Sequence, residues 1–459
     1  MSDRIKPAIL FLDGDSGRGG ASRSLSFMAQ ELKKNGFDPV IIVQPANPLI
    51  ETYRELGIQF TVVPGLPTFR PAQRKIWFAF LRFLWRMRKA RGLRKTILAV
   101  ASKHQVIAVH ANHENISLFG MVVAKWLAVP LICHIRTQLV PTSWARWLYR
   151  KISAKADAIV CIADPVQSHF EALTGIAAES LPLHIVHNFA SGRERANSDV
   201  EVARLDTRED ALNIISLSNF SPNRGVDQVV DVALSLKKMG QKNFLFFLCG
   251  KPANTKVGSG RQDPYYENFR QRVHDCQLED MIQFPGYVTR PIDALAQCDV
   301  LIRLTRLMPA PWGRDIIEAM LSGLPIVTLG EYEGFVSNGV NGFVERSFSA
   351  DTIASHLVAL RDQPELRQRM GEASLERVNL LFNPEFNPVP SDRRKRVQFW
   401  DEDRGYDADP DFSMMREKGG SHRVDLEIGR HGSSLYIDAR GAWRSIRNVA
   451  NTLPVGATM

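Results

Sequence analysis

Pro311-Trp312-Gly313-Arg314-Asp315-Ile316-Ile317-Glu318-Ala319-Met320-Leu321-Ser322-Gly323-Leu324-Pro325-Ile326-Val327 is the most informative stretch of this 459-residue chain. Gly313 opens a helix whose N-terminal N–H groups can take a diphosphate. Glu318 lies over a turn further in, where a carboxylate can hold sugar hydroxyls. Gly323 ends the helix and Pro325 opens the next strand.

Outward from this block, the same alternation of helix and buried strand fills most of the chain. Toward the N-terminus, Ala8–Leu12, Val40–Val43, Phe60–Val63, Val106–Val109, Leu131–Cys133 and Ala158–Cys161 are short apolar runs. They are apolar on both faces, as parallel strands covered by helices must be. Ala21–Lys34 and Asn115–Leu127 carry helical patterns between them. Nearer the opening block, strands are predicted at Ile214–Leu217, Phe244–Leu248, Val300–Ile302 and Pro325–Val327. Helices are predicted at Val226–Met239, Tyr265–Cys276, Asp315–Leu321, Ala350–Leu360 and Pro364–Val378. This predicts an α/β chain of two Rossmann-like doubly wound domains, with a ligand in the crevice at their strand C-terminal ends. The boundaries are 1–190, a polar linker at 191–211, a second domain at 212–380, and an irregular tail at 381–459. In the tail, Val424, Leu426 and Ile428 alternate with Asp425 and Glu427, a pattern that fits a β-hairpin.

Net charge is +9, from 58 Lys and Arg against 49 Asp and Glu. The excess is local. Arg70–Lys95 holds ten basic residues and Arg136–Lys155 five, with no acid in either, and the remainder has 43 basic against 49 acidic residues, or −6. Trp77, Phe80 and Phe83, and then Trp144 and Trp147, interleave with these cations. As a helix, the first segment sets Lys75, Arg82, Arg86 and Lys89 on a narrow arc, the chemistry of an interfacial helix on anionic lipid. A core helix with a solvated basic face is the plainer alternative, and nucleic acid a disfavoured one. Apolar content of 44% excludes wholesale disorder. The apolar run at the N-terminus is too short for a signal peptide, and Lys125 and Pro130 break the best membrane-span candidate, Leu118–Ile135. The five cysteines are odd in number and lack metal-ligand spacing, which predicts a reducing cytosol.

Two further turns can meet an anion. The first strand runs into Asp13-Gly14-Asp15-Ser16-Gly17-Arg18-Gly19-Gly20-Ala21-Ser22. Its glycines let backbone N–H groups approach a ligand, although the dinucleotide fingerprint is not matched. Ser218-Asn219-Phe220-Ser221-Pro222-Asn223-Arg224-Gly225 sets Arg224 at a predicted helix start, where a cation is unfavourable unless an anion arrives.

These motifs, with Asn338-Gly339-Val340-Asn341-Gly342-Phe343 downstream, fall in one order that resembles retaining glycosyltransferases of the GT-B fold, family 4 (glycosyl transferases group 1). The likeness covers roughly residues 8 to 380. It implies two domains facing across a cleft and a nucleotide diphosphate sugar as donor, with no metal and no other cofactor. It implies that Arg224 grips the donor phosphates and that Glu318 contacts the ribose. Gly313 and Arg314 lie in the same donor-binding block, and Gly19 and Gly20 face the diphosphate. It implies an active-site histidine at His110 or His113, beyond the fourth strand. The acceptor it implies is lipid-linked or a growing polysaccharide, used by an enzyme peripheral on the cytoplasmic face of a membrane. Three positions depart from the pattern. Ala310 and Gly334 stand where glutamates are usual, and Asn219 where an arginine is. They keep open a catalytically degenerate partner subunit, or another GT-B enzyme such as a sugar-nucleotide epimerase.

Overall fold

The structure is a computed structural model and describes residues 6–15, 20–45, 47–70, 76–90, 92–188, 204–252, 263–306, 310 and 312–382. Gly19, Lys75, Pro311, the linker segment 191–203 and the tail from 383 onward, with its expected hairpin, lie outside the described residues. The chain divides into two compact units at Phe189/Ala190.

The first unit holds seven parallel strands: β1 (Pro7–Leu12), β2 (Asp38–Val43), β3 (Gln59–Val62), β4 (Gln105–Ala111), β5 (Leu131–Ile135), β6 (Ala158–Cys161) and β7 (Leu183–Ile185). Their order is β3-β2-β1-β4-β5-β6-β7. Ile9, Leu10, Phe11 and Leu12 are wholly buried, because helices cover both faces of the sheet. The order reverses direction between β1 and β4, so the crevice of this sheet opens at the residues just beyond Leu12 and Ala111.

The second unit has six parallel strands: β8 (Leu212–Leu217), β9 (Phe244–Cys249), β10 (Ile282–Gly286), β11 (Val300–Arg303), β12 (Ile326–Leu329) and β13 (Gly342–Glu345). Their order is β10-β9-β8-β11-β12-β13, with the reversal between β8 and β11. Ile214, Phe246, Leu248 and Ile302 anchor a core shared with the helices Gln228–Lys238 and Ala350–Asp362.

Three strands escape the sequence pattern: β7, β10 and β13. All are edge strands. Edge strands can be short or carry Pro and Gly, as Pro285 and Gly286 do in β10.

Residues 204–211 are not free linker. The Leu205 N–H donates to Gln297 Oε1 and the Arg208 N–H to Asn213 Oδ1, and Leu205 and Ala211 are buried. This stretch is the rim of the second unit.

The basic segment also differs from expectation. It forms the helices Ile76–Lys89 and Leu93–Ala101. Ala79 and Phe83 face inward, and Phe80 packs on Trp144 and Trp147. The outward arc is not a solvated basic face. It exposes Trp77 (66%), Phe78 (71%), Leu81 (58%) and Trp85 (55%), with Arg82, Arg88 and Lys89 beside them. Among the described cations of the two basic segments, Arg70 pairs with Asp15, Arg150 donates to the Thr174 carbonyl, and Arg136 is buried. None of the helices among the described residues is long and apolar enough to cross a membrane.

Candidate functional site

At the reversal point of the second sheet, β8 runs into the turn 218–227. Pro222–Arg224 is a single 3-10 turn, and Gly225 follows it at φ 64°. A Cβ on Gly225 would lie 1.7 Å from the Leu304 carbonyl oxygen, so only glycine lets this turn close on the end of β11. Arg306 fastens it further, with 2.7 and 2.9 Å bonds to the Asp227 carboxylate and one to the Pro222 carbonyl. Arg224 thus stands exposed at the end of a 3-10 turn, not at the start of the next helix, which begins at Gln228. The helix-dipole conflict expected from the sequence does not arise. What the fold does instead is bring Arg224 near Arg303, whose pKa burial lowers first, with Asp315 opposing and Arg224 adding to the fall.

Arg303 ends β11, is buried, and pairs with Asp315 at 2.8 Å while its Nη1 donates to the Trp312 carbonyl. Gly313 adopts φ 153° as the residue before the helix Arg314–Leu321. A side chain there would press on Asp315 and Arg303. Glu318 is buried in the second turn of that helix, 2.9 Å from Arg314 Nε in a close but poorly aligned ion pair. Arg314 therefore supports Glu318 from within the helix. Ala310, where a glutamate is usual, is buried. Glu333, beside Gly334, accepts the Asn338 N–H at 3.0 Å and serves its own loop. The Asn-Gly-Val-Asn-Gly run is a structural turn. Asn341 is buried and bridges the Ser337 N–H and Phe335 carbonyl, and a Cβ on Gly342 would lie 2.0 Å from the Ile326 carbonyl oxygen.

The reversal point of the first sheet is built differently. Asp13 beyond β1 is buried, and burial raises its pKa above the usual carboxylate range. Asn112 and Asn47 lie 3.5 Å from its two oxygens. Asp15 accepts from Asn115 Nδ2 and Arg70, and Gly20 is the exposed first residue of the helix Gly20–Lys34. Beyond β5, the Arg136 guanidinium donates to the Asn112 backbone oxygen (2.7 Å), Asn112 Oδ1 (2.7 Å) and Asn188 Oδ1 (3.0 Å). It clamps the end of β4 to that of β5.

The two candidate histidines separate here. His110 lies inside the sheet, 1% exposed, its ring against Phe11 and His134. Burial, and then the Arg136 charge, push its pKa down to about 3, so it is a neutral packing group. His134 is likewise buried and held neutral. His113, three residues past His110, has emerged at the strand end. It precedes the 3-10 turn Glu114–Ile116 and keeps 16% of its side chain exposed. Among the described residues no group of three or more His, Cys, Asp and Glu is placed to hold a metal.

Two parallel α/β units of this strand order, each with its polar groups at the reversal point, are the architecture of the GT-B fold. Solved structures share the architecture. HepE of Anabaena in complex with UDP superposes with a TM-score of 0.64 at 19% identity, over 83% of this chain and 97% of that one. Sucrose-phosphate synthase of Thermosynechococcus elongatus gives 0.62 at 16% identity, over 86% and 100%.

Sequence models of known families divide the chain as the fold does. Glycosyltransferase Family 4 matches residues 18–190, and Glycosyl transferases group 1 matches 198–377. The chain belongs to this family of glycosyltransferases. Among curated relatives, alpha-D-kanosaminyltransferase of Streptomyces kanamyceticus is 22% identical over 315 residues, 63% of this chain and 75% of that protein. A GDP-mannose-dependent alpha-(1-6)-phosphatidylinositol monomannoside mannosyltransferase of Mycobacterium tuberculosis is 26% identical over 248 residues, 51% of this chain and 60% of that protein.

Proposed function

We propose that this glycosyltransferase moves a sugar from a nucleotide diphosphate sugar to a lipid-linked or polysaccharide acceptor. Transfer retains the anomeric configuration and serves cell-surface glycan synthesis, with the enzyme peripheral on the inner face of a membrane. The observation that carries the donor half is the second reversal point. Arg224, exposed, and the Gly313-led N-terminus of the helix Arg314–Leu321 both gather at the end of β11. As the bond from the sugar C1 to the diphosphate breaks and one to the acceptor hydroxyl forms, negative charge grows on the diphosphate. A cation carried on a fixed turn and helix N–H groups stabilise it without a metal. Glu318 holds donor hydroxyls, and His113 hydrogen-bonds a sugar or acceptor hydroxyl. UDP in HepE and GDP-mannose in the mannosyltransferase name the two donors to try first.

The test is a melting-temperature titration with UDP-glucose and GDP-mannose on the full chain. At least one should stabilise it, and Arg224→Ala should weaken that donor about 10–100-fold, the loss of one charge-assisted contact of roughly 1.5–3 kcal/mol. No stabilisation by any nucleotide sugar favours the degenerate partner, for which buried Ala310 is the motive.

The membrane half rests on the outward arc of the helix Ile76–Lys89. An aromatic stripe of this exposure, flanked by cations, fits the headgroup boundary of an anionic bilayer. Sedimentation with phosphatidylglycerol vesicles should lose the protein when Arg82, Arg88 and Lys89 are reversed to Glu, with donor binding intact. Association surviving that change at low salt sinks this half.

A further inference from the structure

We propose that Glu114 is the positioning residue that fixes His113 in a single tautomer, Nδ1–H donated to Glu114 Oε2, so that Nε2 is the nitrogen presented to substrate. This rests on the reading that His113 serves transfer.

Glu114 is 0% exposed, and a carboxylate in that position needs donors on both oxygens. Its Oε1 accepts the Thr137 hydroxyl, and its Oε2 accepts the Arg136 backbone N–H at 3.0 Å. Both donors are themselves fixed. The Thr137 carbonyl holds the Tyr149 hydroxyl at 3.0 Å, and Arg136 is the clamp between β4 and β5. Oε2 has one more neighbour, His113 Nδ1, at 3.1 Å.

That nitrogen already accepts the Asn115 N–H at 3.3 Å, a bond that requires Nδ1 to be unprotonated, whereas the Glu114 contact is close but not aligned as a hydrogen bond. The two contacts demand opposite tautomers. The shorter one, aligned by a turn of the ring, would join a donor to a carboxylate, roughly twice the strength of a neutral pair, and this is the ground for assigning the proton to it. Tyr149, Cys161 and His169 also face the carboxylate. Burial keeps Tyr149 and Cys161 protonated, with the Glu114 charge adding to the effect, and burial keeps His169 neutral against it. None of the three supplies a charge that replaces His113. Among the described residues Nε2 has no hydrogen-bond partner, and it is the atom left to meet a hydroxyl.

The deciding measurement needs no donor. In the full chain with 15N-labelled histidine, the His113 imidazole signals are assigned by their loss in His113→Gln. They should show protonated Nδ1 and unprotonated Nε2, and Glu114→Gln should abolish that preference. A wild-type ring protonated on Nε2 overturns the proposal. In turnover, read as nucleoside diphosphate released from UDP-glucose or GDP-mannose, Glu114→Gln should lower kcat about 10–100-fold, the scale seen when an orienting partner of a histidine is lost. The KM for the donor should stay within about twofold. An unchanged kcat in folded Glu114→Gln, where His113→Gln is impaired, also overturns it. Should that variant fail to fold, Thr137→Val removes one donor to the carboxylate and is expected to shift tautomer and kcat in the same direction by less. His113→Gln separates the premise from the inference: full turnover in that variant sinks the role of His113, while the tautomer result still stands or falls on the spectra.

Discussion

The reversal points of the two sheets occupy the same place in the same topology and are furnished in opposite ways. In the first, ionisable groups are internal and answer one another: Asp13, Glu114 and Arg136 are all buried. In the second, buried charges also pair, Arg303 with Asp315 and Arg314 with Glu318, but Arg224 is left outside, facing solvent. One end is organised to hold a geometry, the other to meet a charge. Cost and consequence should divide accordingly. Substitutions at the first end should be felt as stability, and the exposed cation at the second as affinity.

The largest effect expected on that division is Arg136→Met. It leaves the Asn112 and Asn188 oxygens without their donor, at about 1–3 kcal/mol for each buried acceptor not rescued by water. A urea melt should record a loss of roughly 3 kcal/mol, and a loss under 1 kcal/mol would break the contrast. Gly225→Ala tests the second end where it too is rigid. Positive φ and the clash with Leu304 should cost about 2–3 kcal/mol by the same melt.

A third expectation is pH-dependent. His110 titrates near its ordinary 6.5 when unfolded and at about 3 when folded. Its contribution to stability is therefore complete above pH 6.5 and is lost as the pH falls toward 3. The slope is about 1.4 kcal/mol per pH unit, or roughly 2 kcal/mol between pH 7 and 5. His134, also lowered by burial, adds in the same direction. Asp13, raised by burial, works against it, since its ionised form is the costly one and acid relieves it. Equilibrium unfolding at the two pH values, with His110→Phe to remove its slope, measures the balance. The smallest effect belongs to Arg224→Ala, whose stability change should stay within about 0.5 kcal/mol while donor affinity falls.

What the sequence could show follows from what each feature demands of composition. Central strands such as Ala8–Leu12 and Phe244–Leu248 need apolar residues on both faces, and that is visible at once. Edge strands need less, so Leu183–Ile185 and Gly342–Glu345 left no comparable trace. Gly313 and Glu318 stood out because their helix is local. Arg303 and Asp315 did not, because the partners lie twelve positions apart and a strand's last residue gives no hint of depth. Arg136 looks like surface charge in the sequence for the same reason. A count of cations records sign and position along the chain, while burial is decided by the fold. Glu114 follows the two histidines that draw attention from it, and only the contacts of Thr137 and Arg136 reveal its part.

The outward arc of the helix Ile76–Lys89 has one further consequence. Trp77 and Trp85 are the exposed tryptophans among the described residues, and Trp77 touches Trp144 edge-on at 5.2 Å. The protein therefore carries its own optical reporter at the place where it is proposed to meet lipid. In buffer these indoles should emit as solvated rings, and contact with a bilayer should move their emission toward the blue without any label being attached.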